Sequence, residues 1–289
     1  MLALGIVAAV GASLLYNISI ALQALQAREV PHEHSLRPSL LGRLVRNRRW
    51  LLATAIGLAG WPLEIAALLL APLTVVQPCL ASGLILLLWL GATRLGERLG
   101  WREAIAVGAI LTGVTGIALA APERTTEHAG AGAIALALAL VAIPVVAPYA
   151  LRRRAASFGA LTVLSAGCGY AWTSIASKLL TDELAAGTAI VGLAWLGTVV
   201  ASEGLALLSE MSALQRRPAT HVAPAMFAIQ VLVPVVLAPL IFEESWRSTP
   251  LHGVVLVASM AVAVAGTVLL AGSRAVGAVI ESARSGDSD

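Results

Sequence analysis

The chain has 289 residues, of which 58% are apolar and only 12% charged, about half the charged share of an ordinary soluble domain. That composition excludes a soluble globular protein, a disordered chain and a secreted disulfide scaffold. The net charge of +3 is not a nucleic-acid signature either, because aromatic residues make up only 4% and the arginines sit at the ends of apolar runs, the pattern that orients a membrane protein.

A spanning helix needs about 20 mostly apolar residues. Nine such stretches follow one another: 2–27, 50–71, 72–93, 102–121, 130–151, 157–180, 188–213, 219–242 and 251–272. None alternates as a barrel strand does. The first lacks the basic n-region of a signal peptide and is long enough to span. The loop 28–49 is the longest connection, and no helix is read in it. It carries Arg28, Arg37, Arg43, Arg46, Arg48 and Arg49, an orienting basic loop. Its His32-Glu33-His34 run supplies too few ligands for zinc, so no metal site and no cofactor is assigned. Cys79 and Cys168 fall inside spans and read as small apolar fillers. The segment 273–289 reads as a short tail, disordered over 281–289.

Sixteen of the 19 Lys and Arg fall on one side of this nine-helix arrangement. The positive-inside rule then places the N-terminus outside and the C-terminus in the cytoplasm of a cell membrane.

The sequence also repeats. Pro72-Leu73-Thr74-Val75-Val76-Gln77-Pro78 opens the third span, and Pro218-Ala219-Thr220-His221-Val222-Ala223-Pro224 opens the eighth; both read P-x-T-x-V-x-P. The same offset carries Glu64 onto Glu210 and Glu97 onto Glu243, and Ser19-Ile20-Ala21 matches Ser174-Ile175-Ala176. Equivalent spans are five apart, so they cross in opposite directions. The expected architecture is an all-α inverted repeat: helices 1–4 within 1–129, a connector helix within 130–156, and helices 6–9 within 157–272. Such repeats form the two halves of alternating-access transporters.

The prolines mark special backbone. Pro72 and Pro218 start helices, where a missing N–H costs little. Pro78 and Pro224 remove the bonds to the carbonyls of Thr74 and Thr220. Those carbonyls are free for a cation or substrate, or are re-satisfied by a neighbouring helix. Pro62 follows Trp61 and kinks the second span just before Glu64.

Three carboxylates, Glu64, Glu203 and Glu210, lie within apolar runs, where ionisable groups are costly and default to function. Glu203 and Glu210 share a helix face, about 10.5 Å apart along it. Glu210 reads equally as an interfacial partner of Arg216-Arg217. Lys178 is the one candidate cation in the spans, placed to reach a pathway or to snorkel to the interface. Three acids against one base favour a cationic or proton-coupled cargo. Tyr16, Asn17, Gln77, Tyr170, Thr173 and Gln230 are the remaining polar groups that line a central cavity or bridge helices. Small-residue ladders, Ala104-Gly108-Thr112-Gly116-Ala120 and Ser259-Ala263-Thr267-Ala271, suit close helix contact within the monomer or in a homodimer.

Leu95-Gly96-Glu97-Arg98-Leu99 after the third span, then Ala109-Ile110-Leu111-Thr112-Gly113-Val114, with the Ala71-Pro72 entry and Phe242-Glu243, resemble the drug/metabolite transporter (EamA-like) superfamily. That superfamily usually has ten helices in two five-helix repeats. Nine helices with an outside N-terminus, the Tyr170–Leu180 stretch with Lys178, and Ala219–Pro224 are similar to its NIPA-like magnesium transporter branch. The resemblance implies transport of a small solute or cation, with magnesium as the branch's substrate. A proton-coupled exporter of small metabolites or drugs, a channel-like cation pathway and a non-transporting scaffold subunit are the competing readings. No enzyme is read, since no nucleophile, base and oxyanion set or metal triad is legible.

Overall fold

The computed structural model describes residues 2–71, 73–97, 100–120, 129–151, 158–241 and 249–285. Among them all regular structure is helical: α1 (Leu2–Glu29), α2 (Pro38–Leu44), α3 (Arg48–Leu70), α4 (Leu73–Thr93), α5 (Trp101–Ala120), α6 (Ala131–Ala150), α7 (Phe158–Ala185), α8 (Ala189–Leu214), α9 (Ala219–Ile241) and α10 (Val254–Ser285). Among the described residues six stretches are long and apolar enough to cross a membrane: Leu2–Glu29, Arg48–Ala67, Trp101–Ala120, Ala131–Ala150, Ile190–Leu214 and Ala219–Ile241. Pro78–Thr93 and Val254–Leu270 are shorter apolar helices. The chain is an all-α, membrane-embedded protein, with apolar side chains such as Val7, Leu69, Ile143 and Ile190 on its outer surface.

The long helices fall where the nine apolar stretches lie. Two segments differ from expectation. The 28–49 connection is not free of helix: a 3-10 turn covers His32–His34, and α2 spans seven residues. Leu40 and Leu44, one turn apart on α2, are fully buried; a helix this short escapes a search tuned to membrane-crossing lengths. At the C-terminus the backbone stays helical through Ser285, so 273–285 is not an unstructured tail. Its sequence holds no proline, so the helix can continue once α10 is nucleated. Pro62, Pro78 and Pro224 sit inside unbroken helices, and Pro218 precedes α9 as expected. Pro72, Arg98, Glu243 and the connections 121–128 and 242–248 lie outside the described residues.

The helices pack in matched pairings. α1 lies along α3 and also against α4; α7 lies along α8 and also against α9; α5 lies along α10; α6 packs on α7. Residue contacts fix the directions. Gly5 meets Ala71, and Ser19 Oγ donates to the Ala53 carbonyl at 2.8 Å, so α1 and α3 run antiparallel. Thr173–Ser202 and Ser165–Ser209, each 2.8 Å, make α7 and α8 antiparallel. In the α5–α10 seam a Cβ on Gly113 would come within 2.6 Å of backbone atoms of Ala263 and Ser259, so only glycine permits this approach. The α10 ladder residues Ser259 and Ala263 are in that seam. On α5 the expected ladder reaches packed surroundings only in its second half: Gly116 packs on Ser259 and Ala120 is buried, while Ala104, Gly108 and Thr112 are exposed and Ala106, Ile110 and Gly113 are buried instead. Branched Ile110 packs beside Gly266 of α10, so residue size alone marks only part of the face.

One end of the bundle collects the ends of α1, α4 and α8 and the starts of α3, α5, α7 and α9. Arg28, Arg48, Arg49, Arg94, Arg216 and Arg217 lie there, and it is called the basic end below. α1 therefore runs toward the end from which α7 departs.

Candidate functional site

Each half of the bundle buries a tyrosine against a carboxylate. Tyr16 of α1 donates its hydroxyl to Glu64 Oε2 of α3 at 2.6 Å. Tyr170 of α7 donates to Glu210 Oε2 of α8. Both bonds join neighbouring long helices, α1 to α3 and α7 to α8. Small residues give the tyrosines room: Gly60 faces Tyr16, and Gly169 packs against Ala206 beside Tyr170. The two pairs differ in exposure. Tyr16 and Glu64 are half-buried, whereas Glu210 is 4% exposed. They also differ in depth. Glu64 lies six residues before the end of α3, about 9 Å from the end opposite the basic one. Glu210 lies four residues before the end of α8, about 6 Å from the basic end.

A polar seam continues behind the second pair. Ser209 Oγ lies 2.8 Å from both Ser165 Oγ and Tyr149 Oη, and Ser165 Oγ donates to the Val145 carbonyl at 2.7 Å. Glu203 stands two turns further along α8, exposed, with the Thr173 hydroxyl beside it and Tyr170 and Glu210 within electrostatic reach. Among the described residues no three His, Cys, Asp or Glu gather as a metal cluster.

The other expected site residues separate from these pairs. Asn17 is buried at the α1–α4 crossing, where Nδ2 donates to the Ser13 carbonyl at 2.8 Å. Ser13 Oγ donates to the Leu80 carbonyl and accepts from Gly83 N–H at 3.0 Å. A Cβ on Gly83 would strike Ser13 and Asn17 within 2.3 Å. Ser13 thus supplies hydrogen bonds to the α4 backbone just past Pro78. The side chains of Thr74 and Gln77 lie outside the described residues. Gln230 is half-buried on α9, and Lys178 is half-buried two turns beyond Tyr170 toward the far end of α7. Glu210 takes Tyr170, not an arginine, as its hydrogen-bond partner.

Thr220 belongs to a different cluster, at the basic end. Its centre is Glu97, whose side chain is 4% exposed. Three residues past the end of α4 at Thr93, Gly96 is left-handed at φ 63°, the conformation that reverses a chain after a helix at little cost to glycine. The reversal lets Glu97 N–H bond the Gly91 carbonyl at 2.9 Å and brings the carboxylate over the start of α9. There it accepts from Ala219 N–H at 2.7 Å, Thr220 N–H at 3.1 Å and Thr220 Oγ1 at 2.6 Å. Arg28, in the last turn of α1, forms an ion pair with the same carboxylate. Burial pushes the Glu97 pKa up, but the donors from Thr220, Arg28 and Ala219 outweigh it and hold the carboxyl below its ordinary range. Charge-assisted bonds of this kind, at a helix N-terminus, are the strong ones.

Other bonds tie the two halves at the same end. Leu36 N–H donates to Ser212 Oγ at 2.9 Å, Gln215 Nε2 to the Val30 carbonyl at 3.0 Å, and Trp50 Nε1 faces Met211 Sδ at 3.4 Å. His221 Nε2 lies 3.8 Å from Glu103 Oε1. Gly91 packs so closely on Thr220 that a Cβ would sit 2.2 Å from its methyl. Sequence reasoning noticed Glu97 only as one member of a motif and a repeat. The signal for its structural role was Gly96 beside it, at a helix end facing the Pro218-Ala219-Thr220 start of another helix.

No family model matches the chain, and none of the curated proteins or solved structures is significantly similar to it.

Proposed function

We propose that this protein is a multi-spanning membrane transporter of the drug/metabolite transporter type, moving a small solute or cation by alternating access. The reading is carried by one observation: the tyrosine–carboxylate pair occurs twice, Tyr16–Glu64 and Tyr170–Glu210, once in each half. The matched pairings of α1, α3, α4 and α5 with those of α7, α8, α9 and α10 support an inverted repeat, with α6 as connector. The opposite directions of α1 and α7 support it too.

A carboxylate in a membrane interior is costly unless it has donors, a counter-ion or a proton. One tyrosine hydroxyl leaves lone pairs on each carboxylate for cargo. Magnesium keeps most of its waters and takes only one or two carboxylates, so Glu64 or Glu210 alone suits a hydrated cation better than a dehydrated one. The conformation fits a state closed at the basic end, where Glu97 and its partners hold the halves together and Glu210 is covered, while Glu64 is half-open. With the basic end cytoplasmic, that state faces outward.

Proteoliposome uptake tests the reading. Saturable flux of a cation or of a proton-coupled solute, lost in Glu210→Gln with normal membrane abundance, supports it. Wild-type flux in both Glu64→Gln and Glu210→Gln overturns it.

A further inference from the structure

Apart from these clusters, one crevice opens on the bundle's side near the basic end. It measures about 260 Å³. Its floor is α9 and its walls are the first turns of α7 and the stretch of α10 near Leu270. Leu161, Leu164, Ala225, Ile229 and Leu270 make it apolar, and Arg217 stands at its rim. The crevice follows α9 from His221 to Ile229, about 12 Å along the axis.

Arg217 is the unusual part. It follows α8 and precedes α9, so it sits at the level where the apolar surface ends. Its guanidinium lies across the first turn of α7 at Gly159, where a Cβ would come within 2.3 Å of Nε and 3.1 Å of Nη2. Glycine at 159 therefore seats the side chain over the mouth of the crevice instead of letting it extend into water. Among the described residues no carboxylate forms an ion pair with Arg217, and burial alone pushes its pKa down. A half-buried guanidinium without an acid, at the end of an apolar slot, has the charge and shape of one kind of ligand: an anion joined to a hydrocarbon chain.

We propose that this crevice binds an anionic glycerophospholipid of the leaflet at the basic end, with an acyl chain along α9 and the phosphate on Arg217. Guanidinium and phosphate match in charge and in bidentate geometry. A lipid so held would bridge α7 and α10. The proposal concerns the outer flank of the bundle, so it stands whether or not the chain transports.

The test uses the full chain in detergent micelles, with phosphatidylglycerol and phosphatidylcholine of the same acyl composition as probes. Native mass spectrometry counts retained lipid, and thermal unfolding reads stabilisation. The expected result is one retained phosphatidylglycerol, a raised Tm, and much weaker retention of phosphatidylcholine. Arg217→Gln should weaken phosphatidylglycerol retention about tenfold, the equivalent of one charge-assisted bond. Ala160→Phe, at an exposed position lining the crevice, should block the chain while leaving Arg217 in place, and covers the case in which Arg217→Gln misfolds. Equal retention of both lipids, retention unchanged in Ala160→Phe, or the same stabilisation by inorganic phosphate alone would overturn the proposal.

Discussion

Tyr16 and Glu64 meet between α1 and α3 at a half-buried position, toward the end of the bundle opposite the basic one. Tyr170 and Glu210 meet between α7 and α8, where Glu210 is 4% exposed and a chain of hydroxyls from Ser165, Ser209 and Tyr149 lies behind it. The residue types are the same, so chemistry does not set the difference. What differs is the covering. The second pair lies under the basic end, where Glu97, Arg28, Thr220, Ser212 and Gln215 join the halves; among the described residues no comparable set of polar bonds covers the first. On the proposed alternating-access reading, the exposure of each carboxylate follows which end is tied, and a tie that breaks should exchange the two environments.

If the pairs are equivalent parts of one pathway, losing either should be severe. Glu210→Gln is expected to lower flux by on the order of ten- to a hundredfold, the scale of one hydrogen bond to a buried charged group, at unchanged abundance; Glu64→Gln should do the same. Uptake normalised to protein measures both, and a defect in only one would make the halves functionally unlike.

Gly113 in the α5–α10 seam should tolerate no side chain, because backbone atoms of Ala263 and Ser259 lie within 2.6 Å of where a Cβ would stand. Gly113→Val should cost about 1–3 kcal/mol or more, as overpacking against backbone does, seen as a lowered Tm of the purified protein. A smaller effect is expected at the basic end. Glu97→Gln removes the charge that Arg28 pairs with but keeps the side chain's size, so Tm should fall by less than in Gly113→Val while labelling of a thiol at Ser209→Cys, in a variant with Cys79 and Cys168 replaced by Ala, speeds several-fold.

The acid response of the tie has a defined sign. Its carboxyl pKa is lowered in the folded state, so its contribution is complete above the ordinary carboxylate range and fades only as pH falls below that range. Thiol labelling at position 209, divided at each pH by the rate for a free thiol to remove the thiolate's own pH dependence, should therefore be flat through neutral pH and rise only in acid. The smallest effect is expected at Gly108, where an added Cβ meets nothing within 4 Å. Gly108→Ala should be neutral or stabilise by roughly 0.5–1 kcal/mol through helix propensity, in contrast to Gly113 less than two turns away.

The helices were legible because hydrophobic length is a one-dimensional property, and the apolar stretches needed no tertiary information. Glu64, Glu210, Tyr16 and Tyr170 stood out for a related reason: polar groups are rare in apolar runs. Their pairing was not legible, because the contact joins residues 48 and 40 positions apart and depends on Gly60 and Ala206 allowing the helices to close. Thr220 drew attention through the carbonyl that Pro224 frees, yet its hydroxyl and amide serve Glu97, a partner 123 positions away. α2 was missed because its two buried leucines make too short a signal to separate from a loop. The packing face of α5 was legible only in part, at Gly116 and Ala120, because small residues occur on two of its faces and only α10 decides between them.

The reciprocal exchange of the two ends can be measured by distances between spin labels. One pair, Arg94→Cys with Arg216→Cys, spans the basic end; the other, Leu69→Cys with Leu184→Cys, spans the opposite end. All four positions are exposed. Breaking the tie with Glu97→Gln should lengthen the first distance and shorten the second in the same population of molecules. A lengthening at the basic end with no change at the other would mean that the end merely frays, and the two halves would not be the moving parts of an alternating-access device.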